Sequence, residues 1–377
     1  MDIFPFVRIC HFSDSHLGAG ESHPRKADSG LTVRQEDIMG AFAVAIDRII
    51  ELRPDLCIHS GDLFHKVRPL NSIMARAGLL LHRLAQENGI PTIIITGNHD
   101  APRMPHVGAA LDVYRQIDNL HVVSRGKIET IDLAGAKFHA LPHCLTPQMQ
   151  KEQLALLSVD PEARFNVLIA HGVIGGMPEF SMADLGEQEL PQEITDPFDY
   201  TALGHFHNFC QVAHRAWYAG STERLSQAER QSAKGFAVVD LDPFEVTFHK
   251  ISTRPMVDIP VIDASGKRGD ELATIINESL KGIDPSDKIV RVRVEGVSSE
   301  TLKTLPANAV SDMKRESFAL DIQFQREPEE GSEAGFGRAA IGRLDQGFIE
   351  YLDTLDLKGL DRNRLVREAL KYLQLDE

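Results

Sequence analysis

Five short polar motifs, each placed at the end of an apolar run, constrain this chain more than any other feature of its sequence. They occur in the order Asp14-Ser15-His16, Gly61-Asp62, Gly97-Asn98-His99-Asp100, His171-Gly172 and Gly204-His205-Phe206-His207. The runs before them, at 6–12, 55–60, 91–96, 165–170 and 200–203, are short, and several are rich in Val and Ile, which is typical of strands. The pattern predicts a buried sheet that delivers polar side chains to an exposed edge.

Helical periodicity separates these predicted strands. Between the first two, apolar residues recur at helical spacing, at Ile38, Phe42, Ala45, Ile46 and Ile49. A second apolar helix is predicted from Ser72 to Glu87. Strands that alternate with helices favour an α/β domain, in which functional groups gather at the strand ends.

The residue types in the motifs are those that bind metal ions. Asp14 and His16 are separated by one residue, so in an extended segment both side chains point to one side and can bind one ion. Asp62 has two carboxylate oxygens and can bridge two cations, whereas Asn98 offers a neutral carbonyl oxygen. The set is completed by His171, His205 and His207. This mixture of imidazole and carboxylate suits Mn, Fe, Zn or similar ions.

Phosphoester hydrolysis is the reaction that such a donor set favours. Two metal ions can activate a water molecule and hold both the attacking and the leaving oxygen of a phosphate ester. Each motif alone occurs by chance in long chains, but their ordered combination is specific. Two interpretations remain for His99: a structural histidine, or a group that protonates the leaving alkoxide or stabilises charge on the phosphate oxygens.

Longer stretches around the motifs resemble one group of calcineurin-like metallophosphoesterases, the SbcD and meiotic-recombination-type nucleases of DNA double-strand-break repair. These stretches are Phe12-Ser13-Asp14-Ser15-His16-Leu17-Gly18, Gly61-Asp62-Leu63-Phe64-His65 and Tyr218-Ala219-Gly220-Ser221-Thr222-Glu223-Arg224. The resemblance covers the first 250 residues well and the remainder loosely. It implies an α/β metallophosphoesterase sandwich of two β-sheets flanked by helices over residues 1–254, followed by a smaller α/β capping domain over 255–326.

The resemblance also implies a role for each site residue. One ion would be bound by Asp14, His16, Asp62 and His207, and the other by Asp62, Asn98, His171 and His205. Both ions would be Mn²⁺. His99 would take a catalytic role, and His65 would contact the phosphate or the transition state. Relatives of this kind act on DNA, form homodimers and dock on the coiled-coil base of an SMC-like ATPase.

The predicted capping domain carries a basic strand. The sequence after Pro255 predicts strands at 257–262, 288–295 and 318–324 and helices at 270–280 and 299–305. In the middle strand valines alternate with Arg291 and Arg293, so one face is buried and the other is basic. The two arginines form either a solvated face or a DNA contact. The long polar insertion from Gly20 to Leu31 adds Arg25 and Lys26 as candidate DNA contacts.

The C-terminal segment divides in two. Residues 327–345 include an acidic, glycine-containing stretch that cannot form a core and predicts a flexible linker. Residues 346–377 contain two short amphipathic helical patterns. These helices either fold back on their own chain or, as the resemblance implies, bind the ATPase partner.

Composition limits how the chain meets its partners. A net charge of −15 gives no global attraction for the phosphate backbone of DNA. Metal ions, a dimer groove or a partner would have to supply positive charge.

Hydrophobic residues make up 42% of the chain, yet no apolar run is long enough to cross a membrane and no signal-like segment opens it, so a cytoplasmic protein is expected. The four cysteines lack C-x-x-C spacing and are predicted to be buried thiols.

Three functions are compatible with these features. The first is a Mn-dependent DNA nuclease of a repair complex, acting as an exonuclease on double-stranded ends and as an endonuclease on single strands. The second is a phosphatase or phosphodiesterase that uses the same centre on small substrates. The third is a DNA-end scaffold with a vestigial metal site. The complete ligand set argues against the third, and the capping domain favours the first.

Overall fold

The computed structural model describes residues 7–104, 106–175 and 189–326, together with Arg362. Its strands, in chain order, are β1 (Arg8–Phe12), β2 (Leu56–His59), β3 (Thr92–Ile95), β4 (Leu120–Val123), β5 (Glu129–Leu133), β6 (Ala136–Leu141), β7 (Asn166–His171), β8 (Val173–Ile174), β9 (Glu189–Leu190), β10 (Tyr200–Gly204), β11 (Cys210–Ala213), β12 (Ala216–Tyr218), β13 (Gly235–Leu241), β14 (Phe244–Lys250), β15 (Met256–Asp258), β16 (Ile262–Asp263), β17 (Ile289–Val297) and β18 (Ala319–Arg326). Its helices are α1 (Val33–Leu52), α2 (Asn71–His82), α3 (Pro147–Leu154), α4 (Gly269–Lys281), α5 (Ser299–Lys303) and α6 (Ala309–Glu316).

Two six-stranded sheets form the larger part of the molecule. Their strand orders are β14-β13-β1-β2-β3-β4 and β11-β12-β10-β7-β6-β5. Strands β1 to β4 are mutually parallel, as are β6, β7, β10 and β12. Apolar residues of both sheets fill one shared core, with Ile9, Ile58 and Ile93 from the first and Phe138 and Val167 from the second. Face-to-face packing of this kind is a β-sandwich, and it confirms the predicted fold class.

Helices α1 and α2 cover the outer face of the first sheet. Helix α1 begins at a capping box, in which the Thr32 side chain accepts from the amide of Gln35 and the Gln35 side chain accepts from the amide of Thr32. All five apolar positions predicted for this helix are buried. The second predicted helix is also present, and its last turn, Arg83–Glu87, widens to a π-helix. Periodicity therefore predicted the helices that lie next to the motif-bearing strands.

A four-stranded sheet and helices α4 to α6 form the smaller unit. Strand β17 is central and lies parallel to β15, β16 and β18. The alternation in this strand is confirmed, since Val290, Val292 and Val294 are fully buried and Arg293 is exposed. Two details of the prediction were wrong. The strand expected over 257–262 is interrupted around Pro260, which has no amide to donate, and α6 was missed because Met313 is its one buried side chain.

Polar contacts join the two units at several points. The Arg254 guanidinium bonds both carboxylate oxygens of Asp37, at 2.6 and 2.7 Å, and lies 3.6 Å above the ring of Phe318. From the insertion after Gly20, Arg25 donates to the backbone carbonyls of Arg315, at 2.6 Å, and Ser317. The boundary between residues 254 and 255 stays a prediction. The linker at 327–345 and the helical tail at 346–377 lie outside the described residues, Arg362 excepted.

Two further expectations concern cysteines and membranes. Cys10, Cys57 and Cys144 are buried, Cys210 is partly exposed, and none of the four forms a disulfide. In the part of the chain that the structure describes, every helix is too short or too polar to cross a bilayer.

Candidate metal centre

The seven predicted metal ligands meet at one edge of the sandwich. Asp14 and His16 follow β1, Asp62 follows β2 and Asn98 follows β3, while His171, His205 and His207 lie at or after the ends of β7 and β10. The carboxyl ends of parallel strands share an edge of their sheet. Packing of the two sheets brings both edges together, so residues far apart in sequence form one site.

Four of these ligands have an unusual backbone conformation. The φ angles of Asp14, His16, Asp62 and His205 are 50°, 43°, 56° and 112°. The extended segment predicted for Asp14 and His16 is therefore wrong, because both residues turn into the left-handed region. Non-glycine residues seldom adopt such angles, and surrounding contacts must hold them there. Here the amides of Asp14 and His16 donate to the carbonyls of Gly61 and Asp62, both at 3.0 Å.

The glycines of the motifs make room for the ligands. A Cβ atom added at Gly97 would lie 2.2 Å from Oδ1 of Asp62, and one added at Gly61 would lie 2.3 Å from Nδ1 of His171. Both distances are far below van der Waals contact. Glycine at these two positions is thus part of the binding site, because it lets the strand ends approach the ligands of neighbouring strands.

The donor atoms form two overlapping groups. In the first, donor atoms of Asp14, His16 and His207 lie within 4.8 Å of one another, and the Nε2 atoms of the two histidines are 3.1 Å apart. In the second, Oδ1 of Asn98 lies 3.0 Å from Nε2 of His171 and 3.2 Å from Nδ1 of His205.

Asp62 lies between the two groups. Its Oδ2 atom is 3.6 Å from Nε2 of His16 in the first group and 3.4 Å from Nε2 of His171 in the second. One carboxylate that contacts both groups is placed as a bridging ligand would be.

The electrostatics of the site suit cations. Burial opposes ionisation of Asp62, but the charge of His171 and its hydrogen bond to the carboxylate hold the pKa of Asp62 well below the usual range. Burial lowers the pKa of His205 to about 3, so its imidazole is neutral at neutral pH. Burial opposes protonation of His171 too, yet Asp62 raises its pKa to about 9. Neutral imidazoles and carboxylates are the metal-binding forms, so the donor set fits two divalent ions that displace the proton of His171.

His65 and His99 lie beside the ligands. Their rings stack with centroids 5.3 Å apart, and the ring of His99 is 4.7 Å from that of His16. Both side chains are partly exposed. Nδ1 of His99 lies 3.1 Å from the carbonyl oxygen of His65 and must donate to it. This hydrogen bond places a proton on Nδ1 of His99.

The four candidate DNA contacts lie in two different environments. Arg25 donates to carbonyls of the smaller unit, and Arg291 forms a two-pronged ion pair with Asp258 at 3.0 and 2.6 Å. Lys26 and Arg293 are exposed. DNA contact by these residues stays a prediction, and two of the four already have protein partners.

Two residues that support the site were missed. The buried carboxylate of Asp100 accepts from the amides of Gly97, at 2.8 Å, and Phe64, at 3.2 Å, and so holds the loop that carries Asn98. Its place at the end of the Gly97-Asn98-His99-Asp100 motif was the available signal. Glu229 bonds His207 at 3.2 Å, and it lies outside the five polar motifs, so no sequence signal marked it.

Comparison with known proteins agrees with this geometry. The calcineurin-like phosphoesterase model matches residues 7–209, which is more than half of the chain. The chain belongs to this family. The match ends just beyond His207, so it includes every predicted metal ligand of the phosphoesterase centre.

Several relatives of this calcineurin-like phosphoesterase are named DNA double-strand break repair protein Mre11. The protein of Haloferax volcanii is 28% identical over 84% of this chain and 65% of its own length. That of Methanosarcina mazei is 25% identical over 78% of this chain and 46% of its own length, so the chain spans less than two thirds of either relative. That of Saccharolobus solfataricus is 25% identical over 98% of this chain and 96% of its own length.

Proposed function

We propose that this chain is a metal-dependent nuclease that hydrolyses DNA phosphodiesters during double-strand-break repair. The observation that carries the proposal is the place of Asp62, whose carboxylate contacts both groups of donor atoms. A carboxylate between two groups of ligands is the arrangement that a two-metal phosphoesterase needs. The name that these relatives share supports DNA as the substrate.

Each site residue has a role in this proposal. Asp14, His16, Asp62 and His207 would hold one ion, and Asp62, Asn98, His171 and His205 the other. Two divalent ions, which we propose to be Mn²⁺, would supply Lewis acidity toward the phosphate ester and its attacking water. Since Nδ1 of His99 is occupied by a carbonyl, protonated His99 can donate its Nε2 proton to the leaving oxygen. His65, stacked on His99, would contact the phosphate.

The proposal includes partners because of the charge of the chain. A net charge of −15 repels DNA beyond the reach of the two metal ions. A homodimer, with the helical tail at 346–377 bound to a coiled-coil SMC-like ATPase, would present DNA to the site. Within this assembly the chain would act as an exonuclease on double-stranded ends and an endonuclease on single strands.

The same charge favours a second candidate, a phosphodiesterase of small substrates. A small phosphodiester carries one negative charge, so an acidic protein repels it far less than it repels the polyanion DNA. This candidate needs neither a dimer nor an ATPase, so the two proposals differ in the substrate that is cleaved.

One experiment separates these candidates. Degradation of linear double-stranded DNA in the presence of Mn²⁺ is measured for the unsubstituted chain, for Asn98→Ala and His99→Ala, and for His214→Ala, which changes an exposed histidine as a control. Each protein is assayed by itself and with an ATPase partner. Hydrolysis of an aryl phosphodiester is measured in parallel. We expect Mn²⁺-dependent DNA cleavage by the unsubstituted chain and by His214→Ala, and strongly reduced cleavage by Asn98→Ala and His99→Ala. Turnover of the aryl ester without DNA cleavage, even with the ATPase present, would favour the small-substrate enzyme.

A further inference from the structure

A buried ammonium group lies behind one of the metal ligands. The Lys234 side chain is fully buried, and its Nζ atom donates to the carbonyl of His207 at 2.8 Å, to Oγ of Ser221 at 2.8 Å and to Oε2 of Glu229 at 2.5 Å. An ammonium group has three donors and no acceptor. All three donors are used, so Lys234 is held in one place.

Lys234 holds Glu229 in turn. Oε2 of Glu229 accepts from Lys234 and from the amide of Leu225, at 3.3 Å, which leaves Oε1 for Nδ1 of His207, at 3.2 Å, and Oγ of Ser226, at 3.1 Å. The donors around these two oxygens, among them the Lys234 ammonium, make Glu229 an acceptor toward His207.

The opposite side of the His207 ring belongs to the metal centre. Its Nε2 atom is 3.1 Å from Nε2 of His16, in the donor group that includes Asp14. An imidazole that donates from Nδ1 keeps its lone pair on Nε2, and a carboxylate acceptor makes that lone pair more basic. The orientation of the ring therefore depends on Glu229.

We propose that Glu229, held by Lys234, is a positioning residue that fixes the tautomer and ring orientation of His207 and strengthens the binding of one of the two metal ions. The inference rests on the proposed two-metal function. It is specific to one ion, because the ligand that Glu229 bonds is His207, which belongs to the group with Asp14 and His16. This prediction separates it from a general structural role.

Stability alone explains the pair poorly. Removing two charges from water is costly, and apolar residues of similar size often replace buried ion pairs without loss of stability. That property allows a sharp test. The double variant Glu229→Leu/Lys234→Met removes the acceptor and leaves no unpaired charge, whereas Glu229→Gln/Lys234→Met keeps a neutral oxygen acceptor for His207.

The test is a calorimetric titration of the metal-free full chain with Mn²⁺, with circular dichroism as a check on folding. Glu223→Gln is the matched control, since Glu223 is a buried glutamate of the same segment that pairs with Arg34, 3.4 Å away, and bonds no metal ligand. We expect Glu229→Leu/Lys234→Met to weaken one ion by about 10- to 100-fold and leave the other unchanged. Glu229→Gln/Lys234→Met should lose less, and Glu223→Gln should bind both ions normally.

Three results would overturn the proposal: unchanged affinities in Glu229→Leu/Lys234→Met, equal loss in the two double variants, or equal weakening of both ions. If the unsubstituted chain bound no pair of ions, the proposed function itself would fail instead. Nitrogen NMR of the ¹⁵N-histidine-labelled chain loaded with Zn²⁺ tests the tautomer without changing Glu229 or Lys234. We expect the His207 signals, assigned with His207→Gln, to show the proton on Nδ1; a proton on Nε2 would contradict the proposal.

Discussion

The backbone amide of His205 donates to both carboxylate oxygens of Asp14, at 3.1 and 3.0 Å. Asp14 follows a strand of the first sheet and His205 a strand of the second. Oγ of Ser13 donates to the same carboxylate. The orientation of this ligand thus depends on both sheets, so the metal centre exists only when the sandwich is packed.

Asp62 and His99 should behave differently when substituted. Asp62→Asn removes a charged ligand from both ions, so both Mn²⁺ affinities should fall together. His99→Ala should leave two ions bound and reduce kcat by about 10²- to 10⁴-fold, the usual contribution of a positioned acid. Calorimetric titration and steady-state kinetics on DNA measure the two effects. Tight binding of one ion to Asp62→Asn would show that this carboxylate does not bridge.

Gly97→Ala should damage both the fold and the centre. The new methyl group would lie 2.2 Å from Oδ1 of Asp62 and 2.6 Å from Cε1 of His171. Overpacking of this kind costs about 1–3 kcal/mol, and the displaced Asp62 should weaken Mn²⁺ binding. Gly40→Ala is the control, since a Cβ atom added at Gly40, in α1, would have nothing within 4 Å. It should stabilise the chain by about 0.5–1 kcal/mol; urea unfolding that ranked the two variants equally would contradict this account.

Arg293 should contribute more to DNA binding than Arg291. The Arg291 guanidinium is already paired with Asp258, which also lies 3.2 Å from Arg230. Arg293 is exposed on the same strand. We expect Arg293→Ala to weaken DNA binding and to reduce the slope of affinity against salt by about 1, with little change for Arg291→Ala. Fluorescence anisotropy across a salt series measures both slopes, and equal slopes would refute the distinction.

Arg25 should act as a tether between the two units. Its guanidinium donates to the carbonyls of Arg315 and Ser317, next to the end of α6. Arg25→Ala should therefore speed amide hydrogen exchange at residues 309–317, because these contacts oppose local opening. Lys26→Ala, which changes the exposed neighbour, is the control. Identical amide exchange in both variants would show that Arg25 does not tether the two units, and Arg25 would then remain a candidate DNA contact.

His11 should make the stability of the chain sensitive to acid. It is fully buried, with its ring nitrogens 2.7 Å from Tyr200 Oη and 2.8 Å from Ser60 Oγ. Burial, aided by repulsion from His59, lowers the pKa of His11 to about 3. The unfolded chain takes up this proton below about pH 6.5 and the folded chain does not. Stability is therefore lost as pH falls from about 6.5 toward 3.

Between pH 7 and pH 5, His11 should lower the free energy of unfolding by about 2 kcal/mol. His11→Gln can still bond to Tyr200 and Ser60 but does not titrate, so the loss should be smaller in that variant by this amount. Urea unfolding of both chains in the presence of a chelator measures the difference. An equal pH dependence in the two chains would show that His11 does not carry it.

Sequence-based prediction succeeded where the signal is local. Apolar periodicity placed α1 and the motif-bearing strands within a few residues. The types of side chain that follow these strands indicated a metal centre, because imidazole and carboxylate groups at strand ends have few other uses in such numbers. Prediction failed where the local pattern was weak, as in α6 with its one buried methionine.

The sequence by itself determined which metal-binding side chains this chain can offer. Its motifs identify Asp14, Asp62 and the histidines before any contact is known. Only the tertiary structure decided how these donors are held. Neighbouring segments hold Asp14 and His16 in the left-handed conformation. The hydrogen bond of Glu229 to His207 and that of Arg25 to the carbonyl of Arg315 connect residues that are distant in the chain. Such contacts depend on how the two sheets and the smaller unit pack, and no periodicity along the chain encodes that packing.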